Sequence, residues 1–345
     1  MGSAGLAAAL SGVSALHAES NNAADGIANS SRRFTPLQCS RTSPAQQSGR
    51  GNHEILGVRP QELMPPSTPL EIATAHSPDS DDAFMFYALA TKKIRSSMVT
   101  FRHQLSDIET LNKKAQEGFY DLTAISYHAY PYVADKYVLM AAGSSIGDGY
   151  GPSVVSPHPM DTSEIKGKKI AIPGLMTTAY LALKIFEPDF VPVVVPFDKV
   201  LETVAAGAAD AGLIIHEAQL TYNKEGFYRV LDLGKDWKER YGLPLPLGCN
   251  VLKRSLAPDV KLECCKMMRE SIQYALDHHS EALEYAMQFA RDMEPRLAEQ
   301  FIGMYVNHYT VDAGEVIPKA VKLLYDKGFE VGLLPNQVEV EFARG

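Results

Sequence analysis

The stretch Asp210-Ala-Gly-Leu-Ile-Ile-His-Glu217 carries both the fold pattern and the strongest candidate for chemistry. Residues 213–215 predict a short buried strand, and His216 and Glu217 follow directly at its carboxyl end. Ligands of open α/β sheets bind at the carboxyl ends of the strands. A neutral imidazole at such a place can accept a proton near pH 7. The alternative is a structural histidine that is held by a backbone carbonyl.

Strand and helix patterns alternate along the chain on both sides of this stretch. Apolar or alternating runs predict strands that begin near Leu70, Met98 and Tyr120, and a helical pattern follows each of them. This repeated order predicts an α/β fold with a parallel sheet. The glycine-rich segment 143–151 matches no phosphate-binding motif and predicts a flexible loop. The Pro- and Gly-rich segment 242–250 predicts a crossing between two lobes and not the interior of a strand.

Composition limits the kinds of partner that the chain can have. The 345 residues suffice for one to two domains, and a hydrophobic content of 46% can fill a sizeable core. No run of about 18 apolar residues exists, so the sequence predicts no membrane span. A formal net charge of −8 without a dense basic cluster argues against nucleic acid as a partner. The four cysteines have neither zinc-site nor disulfide spacing, which predicts reduced thiols and no bound metal.

The first 67 residues differ in kind from the rest of the chain. They are rich in Ala and Ser, and arginines outnumber acidic residues in their first fifty positions. This composition predicts a transit peptide, and a disordered extension is the alternative. A transit peptide would direct the chain to a plastid or a mitochondrion, whereas without one the expected location is the cytoplasm.

Polar residues recur where predicted strands end and the next helices begin. Backbone N–H groups are free at the N-terminus of a helix, so such junctions can bind an anion or a hydroxyl group. Helix capping alone is the alternative explanation for these residues. The candidates at these junctions are Ser77, Asp82, Ser126, Tyr127, Thr177 and Thr178.

Several short motifs occur together between residues 70 and 334. They are Ser77-Pro-x-x-x-Asp82, Phe86-Tyr-Ala-Leu89, Asp107-Ile-Glu-Thr-Leu-Asn112, Ile172-Pro-Gly174, Thr177-Thr-Ala-Tyr180, Ala211-Gly-Leu-Ile-Ile-His-Glu217, Gly242-Leu-Pro-Leu-Pro-Leu-Gly248 and Tyr305-Val-Asn307. In combination they resemble a menaquinone-pathway family that includes chorismate dehydratase and 1,4-dihydroxy-6-naphthoate synthase. The resemblance is greatest to the synthase branch and covers nearly the whole region that is predicted to fold.

The resemblance implies a two-lobed α/β fold like that of type II periplasmic binding proteins, with a cleft between the lobes. Residues 68–163 are then expected to form the first part of lobe 1, residues 164–248 lobe 2, and residues 249–345 the return to lobe 1. The implied partner is a small-molecule substrate in the cleft, without a cofactor. A homodimer stays open as the oligomeric state.

The resemblance also implies a reaction and a role for each candidate residue. The reaction is the conversion of cyclic dehypoxanthine futalosine to 1,4-dihydroxy-6-naphthoate by an intracellular lyase on the futalosine route to menaquinone. The general base of this family corresponds to His216, and Glu217 is expected to orient its imidazole. The hydroxyl and N–H groups of the junction residues are expected to hold the polar ends of the substrate.

This chain departs from the family pattern in its first motif. Related synthases usually carry Ser-Pro-Cys-Pro-Asn-Asp-Thr where this chain has Ser77-Pro-Asp-Ser-Asp-Asp-Ala83, and many carry a lysine where Ala124 stands. Both changes make the cleft more negative, so an anionic substrate would be held less well. A solute-binding protein, or a divergent member acting on another carboxylated metabolite, is therefore the main alternative. Chorismate dehydratase activity ranks lower, because its relatives lack the run that contains His216.

Overall fold

The structure is a computed structural model, and it describes residues 68–290 and 293–345. The prediction of a transit peptide falls on residues 1–67, which lie outside the described residues. Among the residues described, no helix is both long enough and apolar enough to cross a membrane.

The chain enters with alternating strands and helices, as the sequence predicts. The elements up to the first change of sheet are β1 (Leu70–His76), α1 (Ser80–Ala90), β2 (Val99–Leu105), α2 (Ile108–Gln116), β3 (Leu122–Ser126), a 3₁₀ helix (Tyr127–Tyr132), β4 (Tyr137–Met140) and β5 (Ser145–Gly147). Asp107 caps α2 by accepting a hydrogen bond from the backbone N–H of Thr110.

The middle of the chain repeats this alternation. Its elements are β6 (Ser153–Ser156), a 3₁₀ helix (Thr162–Ile165), β7 (Lys169–Ile172), α3 (Thr178–Phe186), β8 (Val191–Val194), a 3₁₀ helix (Phe197–Lys199), α4 (Val200–Ala205), β9 (Ala211–Ile214), α5 (Ala218–Thr221), β10 (Tyr228–Asp232) and α6 (Leu233–Tyr241). The predicted strand before His216 is therefore present as β9, which ends two residues before the histidine.

The last third is mostly helical, as its apolar spacing predicts. It contains β11 (Leu245–Lys253), α7 (Pro258–Asp277), α8 (His279–Ala286), a 3₁₀ helix (Met287–Phe289), α9 (Pro295–Tyr305), α10 (His308–Val311), α11 (Val316–Glu330) and β12 (Phe342–Ala343).

These strands form two separate sheets. The first has the order β12-β4-β11-β3-β1-β2, with β5 also paired to β11, and the second has the order β10-β6-β9-β7-β8. We call the parts built on them the first lobe and the second lobe. Strands β1, β2 and β3 are parallel to one another, and so are β7, β8 and β9. Strands β6, β10 and β11 run antiparallel to their neighbours, so both sheets are mixed and not purely parallel.

The sheets also refine the expected division of the chain. Strand β6 already pairs in the second sheet, ten residues before the expected boundary at residue 163. Strand β11 spans the expected return at residue 248 and pairs with β3 and β4 of the first sheet. The exact lobe limits stay a prediction, but the chain passes from the first sheet to the second and back once in each direction among the described strands.

The prediction that 242–250 lies outside a strand was wrong. Residues from Leu245 onward belong to β11, which pairs with β5, β3 and β4. Proline has no N–H to donate, yet Pro246 is tolerated because the ladder with β5 shifts register between Pro246 and Gly248. The flexible loop predicted at 143–151 likewise contains the paired strand β5.

Glycines allow the chain to pass closely between the lobes next to α6. A Cβ atom at Gly234 would overlap the backbone carbonyl of Tyr150 and lie 2.7 Å from the backbone nitrogen of Gly151. The next backbone contact is the hydrogen bond from the N–H of Leu233 to the carbonyl of Pro152, at 2.9 Å. The start of α6 therefore fixes the path of the first crossing.

We expect Gly234→Ala to lower the free energy of unfolding by about 3 kcal/mol or more, because the new methyl group meets backbone that cannot rotate away. Urea denaturation measures the change. The matched control is Gly303→Ala on α9, where the added methyl meets open space and should stabilise the helix by roughly 0.5–1 kcal/mol. Equal effects at the two glycines would contradict the close packing at Gly234.

Candidate active site

A cleft opens between the two lobes and is lined by residues from both. Its polar lining includes the carboxyl groups of Asp79, Asp81 and Asp82 and the imidazole of His216. Among the described residues that line it, none is a lysine or an arginine. Apart from the imidazole of His216, the donors that can meet a negative charge on a ligand are therefore neutral.

The turn after β1 places the acidic side chains at the cleft. Asp79 stands at the N-cap position of α1, directly before the first helical residue. The backbone N–H of Ser77 donates to Oδ2 of Asp82 at 2.7 Å, and the Ser77 hydroxyl donates to Oδ2 of Asp79 at 2.6 Å. Hydrogen bonds between its own residues therefore hold the turn in place. The same residues also line the cleft, so both interpretations of this motif, helix capping and a binding site, apply to it.

His216 enters the cleft from the second lobe, just after β9. Its side chain is only 14% exposed, and its Nδ1 lies 3.2 Å from Oδ2 of Asp79 on the first lobe. The ring of Phe197 stands edge-on to the imidazole, with 4.3 Å between ring centroids. Nε2 of His216 is buried and has no hydrogen-bond partner in the part of the chain that the structure describes. A substrate atom in the cleft could therefore use this nitrogen.

The carboxyl groups of Asp81 and Asp82 at the cleft are harder to ionise than free ones. Burial, together with the charge of Asp79, raises the pKa of Asp82 to about 7, although the hydrogen bond from the backbone N–H of Ser77 acts to lower it. Burial also raises the pKa of Asp81, followed by the charges of Asp82, Asp79 and Glu217. These shifts favour the protonated form of both side chains, which can donate a hydrogen bond as well as accept one.

The predicted residues Ser126, Thr177 and Thr178 line the cleft together with Ser77, Asp82 and His216. The hydroxyls of both threonines already serve the fold. Thr177 caps α3 by accepting from the N–H of Tyr180, and Thr178 donates to the carbonyl of Leu247 at 2.6 Å. What remains for a ligand is the Ser126 hydroxyl and the first backbone N–H groups of α3, which have no acceptor in the helix.

Two predicted residues do not line the cleft. Tyr127 is fully buried, and its hydroxyl is hydrogen-bonded to that of Ser144 at 2.8 Å. Glu217 is 8% exposed and lies beside the cleft. It offers one oxygen to a group with Asp79 and His216 in which all three ligand-type atoms lie within 4.8 Å of one another, a spacing that could hold a metal ion. The carboxylate of Asp79 is in direct contact with the imidazole, at 3.2 Å from Nδ1.

Two further residues shape the cleft, although the sequence marks them only as parts of a motif. Glu109 on α2 accepts a hydrogen bond from the N–H of Met176 at 3.1 Å, across the lobes. Asn112 accepts from the N–H of Ser126 at 2.8 Å and donates to the Ser126 hydroxyl and to the carbonyl of Met176. A Cβ at Gly174 would overlap the Glu109 carboxyl group, which explains the glycine there. The motifs containing these residues thus meet in space.

We expect Asn112→Ala to raise KM by about 10-fold and to change kcat less, since each buried polar group left without a partner costs about 1–3 kcal/mol. The substitution removes the hydrogen bonds that position Ser126 and the loop before α3. Steady-state kinetics measure both constants. Thr110→Ala, on the exposed side of the same helix, is the control. An unchanged KM in Asn112→Ala would contradict a role for this side chain in shaping the cleft.

Comparison with known proteins shows that the region containing these motifs matches one protein family. A family model described as menaquinone biosynthesis matches residues 72–330, most of the chain. The chain belongs to this menaquinone biosynthesis family. A relative from Thermus thermophilus, named 1,4-dihydroxy-6-naphthoate synthase, is 41% identical over 257 residues, which are 74% of this chain and 93% of the relative. A relative of the same name from Streptomyces coelicolor is 35% identical over 270 residues, which are 76% of this chain and 94% of the relative.

Solved structures confirm the fold that is expected for this menaquinone biosynthesis family member. A protein from Archaeoglobus fulgidus is 46% identical with a TM-score of 0.74, and the match covers 76% of this chain and 98% of that one. The alkanesulfonate-binding protein of Xanthomonas axonopodis pv. citri has a TM-score of 0.59 at 14% identity, with coverages of 79% and 97%. At that identity the likeness concerns the fold alone. The predicted two-lobed periplasmic-binding-protein-like fold is therefore confirmed.

Proposed function

We propose that this protein is a carbon–carbon lyase that converts cyclic dehypoxanthine futalosine to 1,4-dihydroxy-6-naphthoate, with His216 as the general base. Its relatives named 1,4-dihydroxy-6-naphthoate synthase support an enzyme of menaquinone biosynthesis. The observation that carries the role of His216 is its Nε2 atom, which is buried at the cleft and has no hydrogen-bond partner within residues 68–290 and 293–345.

The proposed reaction suits the side chains at the cleft. Removal of a proton from an acidified carbon requires a positioned base, and the electron pair left on the carbon drives cleavage of the C–C bond. An imidazole that is neutral near pH 7 can accept that proton. The two lobes surround the reacting atoms and exclude water, which would otherwise compete for the proton.

The charges around the cleft favour one way of holding an anionic substrate. A carboxylate beside Asp79, Asp81 and Asp82 would be repelled by whichever of them is ionised. The hydroxyl of Ser126 and the first N–H groups of α3 offer neutral donors and the positive end of a helix dipole. We therefore assign the substrate carboxylate to these donors and the hydroxyl-bearing part of the substrate to the acidic side chains.

A solute-binding role, or a reaction on another carboxylated metabolite, is the second candidate. The observation that favours it is the excess of acidic side chains, with no lysine or arginine among the described residues that line the cleft. The lone pairs of the acidic group prefer ligands that carry hydroxyl groups or positive charge. A substrate with fewer negative charges than the naphthoate precursor would fit this cleft better.

An assay of the purified full-length chain with cyclic dehypoxanthine futalosine tests the two candidates. Mass spectrometry follows the release of 1,4-dihydroxy-6-naphthoate, and calorimetry measures binding of the same compound. We expect product at an unchanged rate when EDTA is present, since the proposed reaction uses no metal. Binding without product would favour the second candidate, and a rate that EDTA abolishes would assign the group containing Asp79, His216 and Glu217 to a metal ion.

A further inference from the structure

We propose that Asp79 is a positioning residue that holds His216 in its Nδ1–H tautomer, so that Nε2 is the atom that accepts the substrate proton. The inference rests on the proposed function for the role of His216 as the base. It adds a residue of the first lobe to the site, and it names the reacting atom.

The contact with Asp79 points to the nitrogen that carries the proton. Nδ1 of His216 lies 3.2 Å from Oδ2 of Asp79, within ion-pair distance. An ionised carboxylate only accepts hydrogen bonds, so the Nδ1–H tautomer is the neutral form of the ring that this contact favours. Its second nitrogen, Nε2, then holds a free lone pair and has no hydrogen-bond partner among the described residues. The histidine therefore presents Nε2 to the cleft as a proton acceptor.

Asp79 is itself held in place by its own turn. The Ser77 hydroxyl donates to Oδ2 of Asp79 at 2.6 Å, and the backbone N–H of Asp79 donates back to the Ser77 oxygen at 3.2 Å. Both residues are less than 10% exposed. A carboxylate that is anchored in this way can fix the ring of His216, while the edge-on ring of Phe197 limits its rotation from the other side.

The same arrangement accounts for the charges during the proposed step. The proton moves from the substrate carbon to Nε2, and the electron pair of the broken C–H bond stays with the substrate and passes into the C–C cleavage. The imidazolium so formed retains its Nδ1 proton and faces the carboxylate of Asp79. Opposite charges at this distance in a buried site attract each other, so the carboxylate of Asp79 stabilises the protonated base.

The contact also joins the two lobes. Asp79 precedes α1 on the first sheet, whereas His216 follows β9 on the second. A second buried hydrogen bond spans the lobes nearby, from the Tyr305 hydroxyl to the Gln219 side chain at 2.9 Å. The base is therefore oriented only when the lobes are together, which links proton removal to a closed cleft that excludes water.

Nitrogen NMR of the full-length protein with ¹⁵N-labelled histidine tests the tautomer without any substrate. The protein is kept in EDTA at about pH 8.5, where an ordinary imidazole is neutral, and His216→Asn identifies the signals. We expect a protonated Nδ1 and a bare Nε2 in the wild type, and a shift of population towards the Nε2–H tautomer in Asp79→Asn. A protonated Nε2 in the wild type would overturn the proposal, even if Asp79→Asn did not fold.

Kinetics then separate positioning from a purely structural role. We expect Asp79→Asn to lower kcat by about 100-fold, towards the lower end of what a general base contributes, with KM changed by less than about threefold. Asp135→Asn, at an exposed surface carboxylate, should leave both constants unchanged. An Asp79→Asn enzyme with wild-type kcat would overturn the proposal. The predicted tautomer without turnover would instead keep the positioning role and reject the proposed substrate.

Discussion

Replacing His216 with asparagine is expected to lower kcat by about 10²- to 10⁴-fold, the range that a positioned general base contributes. Asparagine cannot accept a proton near neutral pH, whereas the imidazole can. The substitution leaves Ser126 and the N-terminus of α3 untouched, so KM should change by less than about threefold. Steady-state kinetics with the cyclic substrate measure both constants, and calorimetry checks that the variant still binds it.

The control for this substitution is His158→Asn, at an exposed histidine of the second lobe. It should leave kcat and the free energy of unfolding unchanged, so that a loss at His216 reports on the site. A His216→Asn variant that folds, binds and turns over at the wild-type rate would remove the imidazole from the mechanism. In that case an ionised carboxylate at the cleft, such as that of Asp82, would become the next candidate for the base.

The sequence alone could predict the features that depend on local patterns. Apolar runs and helix starts located β1, β3, β7 and β9, because each element is short and bounded by turn-forming residues. His216 could be found because its position at a strand end and its residue type both point to chemistry. The same reasoning failed at β11, where a proline-rich segment forms a strand because partners on both sides supply the pairing.

The interactions that assemble the cleft could not be predicted from local patterns. Asp79 and His216 lie on different lobes and are brought together only by the packing of two sheets. Glu109 and Asn112 are separated by more than sixty residues from Met176, whose backbone they bind. Nor could composition reveal that the hydroxyls of Thr177 and Thr178 are used within the fold, since capping and ligand binding require the same residue type.

The acidic side chains at the cleft should make the protein less stable as the pH rises. The folded state raises the pKa of Asp82 from 3.8 to about 7, mainly through burial. Between these two values the native protein binds a proton that the unfolded chain has released. The stabilisation is therefore complete below about pH 4 and is lost as the pH rises to about 7. At about 1.4 kcal/mol per pKa unit, the loss amounts to roughly 4 kcal/mol over the whole range.

Urea denaturation at about pH 5 and about pH 8 measures this effect. We expect the free energy of unfolding of the wild type to fall by roughly 3 kcal/mol between the two conditions, since about two pKa units of the range lie above pH 5. Asp82→Asn keeps the shape and cannot ionise, so its fall should be clearly smaller, while Asp135→Asn at the surface should match the wild type. The same fall in Asp82→Asn as in the wild type would show that the titrating charge lies elsewhere. A smaller fall would show that Asp82 is the buried group whose ionisation costs stability as the pH rises.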